Sequence, residues 1–147
     1  MQVFVVGSPL ETAMVLDKAR LRKQIIECHQ ILAAIHGEGK EWIHHPVVLM
    51  YSEPNSVRWL SIYAFVLEGY LAGYSGLMEL DADAKEITPP FHTPEFFTQM
   101  KRRLYTKNPE HYKQWAELGE SQDNHYWSPS QQKWLVYRNG KLLQEQE

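Results

Sequence analysis

Leu-Asp-Lys-Ala-Arg-Leu-Arg-Lys-Gln-Ile-Ile-Glu-Cys-His-Gln-Ile-Leu, residues 16–32, carries two patterns at once. Leu21, Ile25, Cys28, Leu32 and Ile35 recur at spacings of four, three, four and three, the period of a helix with one apolar face. Beside that stripe, Arg20, Lys23, Gln24 and Glu27 fall within an arc of roughly 100° at the helical step. A single acid flanked by cations on a well-anchored helix suits acid/base work against an anionic substrate.

Outward from this helix, the punctuation is mostly helical. Ser8-Pro9-Leu10-Glu11 supplies an N-cap, a proline at the first helical position and a capping-box glutamate, after an extended start over residues 1–7. One helix is expected from there to about Ile35, bending near residues 17–20 and stopped by Gly37 and Gly39. His44-His45-Pro46 reads as a turn before the apolar run 47–51. Adjacent histidines on a turn rarely chelate one ion, so neither a metal nor a cofactor is expected. Pro54-Asn55-Ser56 opens another helix, with Trp59, Tyr63, Val66 and Tyr70 as its core face up to Gly73.

Residues 75–92 read as an acidic linker. Thr93-Pro94-Glu95 then launches a helix through Phe96, Phe97, Met100 and Leu104, and a short helix is expected from Pro109 to Leu118. In residues 134–143, Asn139-Gly140 between apolar runs predicts a β-hairpin with a type I′ turn. The expected fold is mainly α: a compact helical unit over residues 1–120 and a C-terminal extension, 121–147, packed on it or appended to it.

The bulk composition narrows the class. A chain of 147 residues, 44% hydrophobic, is long enough for one domain with its own core. One cysteine excludes an internal disulfide and a cysteine-based zinc cluster, and Cys28 falls in the apolar stripe as a core thiol. No run approaches the ~18 apolar residues of a membrane helix, and the N-terminus lacks a signal-peptide pattern, so an intracellular protein is expected. The net charge of −3 argues against a surface that clings to nucleic acid everywhere. Yet Lys18, Arg20, Arg22, Lys23, Lys101, Arg102, Arg103, Lys107 and Lys113 are nine of the fifteen cations, drawn from two short segments. Packed side by side, these would line a positive groove; kept apart, they are two solvated helix faces.

Four blocks in order resemble the bacteriophage-type pyrimidine dimer DNA glycosylases, also called the endonuclease V type. They are Arg-x-x-Lys-Gln-x-x-Glu-x-x-Gln-Ile-Leu from residue 20, His45-Pro46, the helix carrying Glu68 and Gly73, and Arg103-Leu104-x-x-Lys107-x-Pro109-x-x-Tyr112. The resemblance implies a compact α fold whose substrate is double-stranded DNA carrying damaged or modified pyrimidines. It implies a glycosylase and abasic-site lyase in which the N-terminal α-amine attacks the sugar C1′ and forms a Schiff base. Met1 and Glu27 would then be the catalytic pair, with Glu27 stabilising the cationic sugar or moving protons. Arg20, Lys23, Gln24, Arg102, Arg103, Lys107 and Tyr112 would touch DNA, Tyr112 and Trp115 either stacking on a base or anchoring the last helix. Gln2 is too large for routine removal of the initiator methionine, so either the Met1 amine is itself the nucleophile or the amine sits about 3.5 Å out of place. Two other readings stay open: a non-catalytic nucleic-acid or nucleotide binder on the same scaffold, and a protein-interaction module.

Overall fold

Caps written in the sequence set the helix starts. In the computed structural model, which describes residues 1–143, Ser8 Oγ accepts from Glu11 N–H (3.2 Å) and the Glu11 carboxylate accepts from Ser8 N–H (3.0 Å), opening α1 (Pro9–Val15). His45 Nδ1 caps α3 (Pro46–Met50) by accepting from Val47 N–H, and Thr93 Oγ1 caps α6 (Pro94–Lys107) by accepting from Phe96 N–H. Proline at the first turn serves α1, α3, α4 (Pro54–Ala72) and α6, because its missing N–H falls where a helix has no partner for one. Gly73, at φ +78°, closes α4 in the left-handed conformation.

Three expectations need correction. The expected first helix is two: α1 ends at Leu16, whose backbone is extended, and α2 (Lys18–Ile35) starts afresh after Asp17. Leu16 is buried at the break, so packing holds the chain in a corner and not in a bend. The acidic linker contains a helix, α5 (Leu77–Glu86). It buries Leu77, Asp81 and Ala84 at spacings of four and three, and Asp81 Oδ1 accepts from Leu10 N–H (2.8 Å) at the start of α1. Tyr70 is 41% exposed, on the outer side of α4, whereas Trp59, Tyr63 and Val66 are buried. The expected hairpin forms between β2 (Lys133–Arg138) and β3 (Lys141–Leu142), and β1 (Asp123–Ser128) extends it to a three-stranded antiparallel sheet. Asn139 (φ 51°) and Gly140 (φ 75°) form the positive-φ turn between β2 and β3, while the longer ladder pairs β2 with β1. Residues 144–147 of the extension lie outside the described residues.

The helices pack around α4, which contacts α1, α2 and α5. Trp59 stacks on Tyr63 (ring centroids 4.9 Å apart) and Tyr51 (6.0 Å), pairs that contribute about 0.5–1.5 kcal/mol each beyond their burial. Cys28 is fully buried, and burial pushes its thiol pKa well up, as a core thiol requires. A 3₁₀ turn (Lys113–Leu118), shorter than the expected helix, follows α6 and ends at Gly119. The sheet is not separate from this core: Tyr126 is buried in it, and Trp127, Trp134 and Tyr137 pack against it. α3 and α6 both contact β1, which brings the sheet up to the chain's first residues.

Candidate functional site

Residues 1–7 form no strand ladder, and side chains meet several of their backbone groups instead. From α2, Gln24 Oε1 accepts from Phe4 N–H and from the Tyr63 hydroxyl (3.1 Å), and Gln24 Nε2 donates to the Gln2 carbonyl (3.0 Å). From the opposite side, Gln2 Nε2 donates to His125 O (2.9 Å) while Gln2 Oε1 accepts from His125 N–H (3.1 Å). Gln2 thus occupies the edge of β1 that β2 leaves open. Tyr126 Oη donates to the Met1 carbonyl at 2.6 Å. Two glutamines and a tyrosine therefore fix the N-terminus between α2 and β1.

Beside this clamp lies a cavity of about 270 Å³, lined by Met1, Phe4, Lys23, Glu27, Arg103 and Asn124 among others. A smaller recess continues past Lys107 to Arg20. Glu27 is 7% exposed, and its Oε2 has no hydrogen-bond partner. Arg20 Nε is likewise buried without one. Lys107 extends its ammonium over the Phe4 ring, 5.7 Å from the centroid. Desolvation there, then the charges of Arg103, Arg20 and Lys23, hold its pKa below the ordinary lysine value despite the opposing pull of Glu27. The two basic segments of the sequence thus meet: four cations surround one carboxylate, a balance that favours an anionic ligand.

The Met1 α-amine shares this field. Burial lowers its pKa from the usual 8.0; Glu27 raises it; Lys23, Lys107 and Arg103 lower it further. Lowering is the net direction, which enriches the neutral, nucleophilic form at neutral pH. His45 stays uncharged, held down to about 4 by burial and then by the amine's charge. Its Nδ1 accepts from Val47 N–H (3.1 Å), which leaves the ring proton on Nε2.

Of the residues the sequence singled out, Met1, Lys23, Glu27, Arg103 and Lys107 line the cavity, and Arg20 lines the adjoining recess. Three others are engaged in hydrogen bonds within the fold. Gln24 lines the recess beside Arg20 but is buried, with its carboxamide hydrogen-bonded to the N-terminal segment, so it positions the chain. Tyr112 is fully buried: its hydroxyl donates to the Asp17 carboxylate and accepts from Asp17 N–H (2.9 Å), and its ring stacks on Trp115. It anchors the 3₁₀ turn to the α1–α2 corner and has no face left for a base. Arg102 turns away from the cavity, donating to Gln99 Oε1 (3.0 Å) and to the Glu120 carbonyl (2.7 Å).

Phe4, Gln30 and Asn124 line the cavity without having been singled out. Gln30 was within reach of sequence reasoning, since it lies three residues beyond Glu27 and seven beyond Lys23 on one helical face. Asn124 was not, because residues 121–128 show no alternation that announces a strand.

A family model described as pyrimidine dimer DNA glycosylase matches residues 1–67. The matched span holds Met1, Arg20, Lys23 and Glu27 and ends before α6 and the sheet. No curated protein and no solved structure matches the chain.

Proposed function

We propose that this protein is a DNA glycosylase and abasic-site lyase acting on damaged or modified pyrimidines in double-stranded DNA. The observation that carries the reading is the shared cavity of the Met1 amine and Glu27, rimmed by Lys23, Arg103 and Lys107. The family match over residues 1–67 supports the substrate class. Tight fixation of Gln2 by Gln24 and His125 favours Met1 itself, and not residue 2, as the carrier of the nucleophilic amine.

In this mechanism the neutral amine attacks C1′ of a flipped or distorted nucleotide in the duplex. The new N–C1′ bond replaces the glycosidic bond, and the base leaves with the bonding electron pair and takes up a proton. Ring opening gives a Schiff base. Loss of a proton from C2′ then expels the 3′ phosphate and nicks the strand. Glu27, with one carboxylate oxygen unpartnered, is placed in this scheme to stabilise the cationic sugar and to move the C2′ proton. Lys23, Arg103 and Lys107 hold the flanking phosphates, with Arg20 extending the track.

Borohydride trapping on a duplex with one abasic site tests the proposal. A covalent adduct is expected, lost when the α-amine is acetylated. Glu27→Gln should retain the fold and lower strand nicking by about 10²–10⁴-fold, the range of a positioned acid/base. Absence of any adduct would remove the enzyme reading. Salt-dependent DNA binding without an adduct would instead favour the non-catalytic binder.

A further inference from the structure

Among the polar side chains lining the cavity, most carry charge or are already committed. Lys23, Glu27, Arg103 and Lys107 are ionic, and the Gln2 carboxamide is spent on the His125 backbone. Gln30 is exposed at the rim. Asn124, half-buried on β1, differs from all of these. Its Oδ1 accepts from Arg103 Nε at 3.2 Å. A guanidinium has only donors, so the atom facing Arg103 must be the carbonyl oxygen, which fixes the orientation of the amide. Arg103 is itself tied to the Ser121 carbonyl (3.4 Å), and β1 is held by its full ladder with β2. The Asn124 –NH₂ is left with no acceptor among the described residues, on the wall of the cavity that also holds the amine.

Phosphates are drawn by charge to the four cations. A base edge is read by donors or acceptors held in a fixed place, and Asn124, its oxygen taken by Arg103, supplies donors only. The acceptors that thymine and uracil present away from their ring N–H are the carbonyl oxygens O2 and O4.

We propose that Asn124, on a strand outside the family match, is a specificity-determining residue: its –NH₂ donates to a carbonyl oxygen of the target pyrimidine. This rests on the glycosylase reading above. It makes the C-terminal sheet part of the substrate pocket and not an appendage.

Two substrates separate base recognition from everything else: a duplex with one cyclobutane thymine dimer, and the same duplex with an abasic site. The quantity measured is the ratio of single-turnover base excision to borohydride trapping. Asn124→Ala is expected to lower that ratio about tenfold, the value of one hydrogen bond. Asn124→Asp keeps an acceptor for Arg103 but has no N–H, so it should lower the ratio as well. An unchanged ratio in Asn124→Ala overturns the proposal. So does a ratio restored in Asn124→Asp, since that would assign Asn124 only the task of holding Arg103. Wild-type protein that traps no abasic DNA would fail the glycosylase reading itself, and with it this one.

Discussion

At the residue scale, the α-amine of Met1 has the environment that decides most. Burial and three nearby cations depress its pKa below 8.0, against the pull of Glu27. An amine at the usual value is only about one-tenth neutral at pH 7, so depression raises the reactive fraction. Trapping on abasic DNA should therefore rise with pH, with a midpoint below 8.0. Lys23→Met removes one of the depressing charges, so its rising limb should move to higher pH when measured with saturating DNA. A limb that stays in place would separate Lys23 from the amine. The same residue shows what spacing reveals: Lys23 and Glu27 one turn apart on a helix were legible before any fold was known. The amine's position was not, because no local pattern connects residue 1 to residue 27.

At the element scale, α2 does two jobs along one face. Its apolar stripe packs into the core through Leu21 and Cys28, and Gln24, one turn before Cys28, is buried with them. The sequence reading put Gln24 with the cations because helical angle alone cannot tell a polar residue facing water from one facing an unpaired backbone. Burying a carboxamide is favourable here only because residues 2 and 4 present groups with no ladder partner. Gln24→Leu would strand the Phe4 N–H and the Tyr63 hydroxyl, so a loss of about 2–3 kcal/mol in denaturant unfolding is expected. Trapping should fall by more than stability accounts for, because the amine loses its mooring. A fully stable Gln24→Leu variant would show that the N-terminus is held by apolar contacts alone. Similarly, α5 was missed because its buried face has only three residues, one of them an aspartate that serves as a cap for α1.

At the scale of the whole molecule, the protein is acidic overall and basic in one place. Four cations around the cavity predict a log–log salt dependence of DNA affinity with a slope of about −3 to −4, flattened by about one in Lys23→Ala. A slope near zero would contradict phosphate binding at this cavity. Acid stability is set elsewhere, by histidines buried without charge. His92, against Trp59 and Phe96 and hydrogen-bonded to the Tyr51 hydroxyl (2.7 Å), is held down to about 3 by burial from the usual 6.5. Above pH 6.5 it is neutral folded or unfolded and contributes nothing to the pH dependence. Below 6.5 the unfolded chain takes up a proton that the folded one refuses. Stability should then fall by about 1.4 kcal/mol per pH unit from this group until pH approaches 3. His92→Gln should lose that part of the slope in thermal melts between pH 6 and 4; an unaltered slope would mean that His92 is not the group responsible.

The proline-marked starts of α1, α3, α4 and α6, the Asn139-Gly140 turn, the apolar stripe of α2 and the two clusters of cations were determined by the sequence itself. Each depends on residues within a turn or two of one another, where cap chemistry, positive φ and the 3.6-residue period act directly. Three things were decided only in the folded molecule: the corner at Leu16, the pairing of β1 with β2, and the meeting of Met1, Glu27, Lys107 and Asn124 around one cavity. Those four residues lie on four different segments, and what joins them is the burial of Tyr126, Tyr63 and Gln24 between the sheet and the helices. Burial of that kind depends on surfaces far apart along the chain, and no spacing within a single element encodes it.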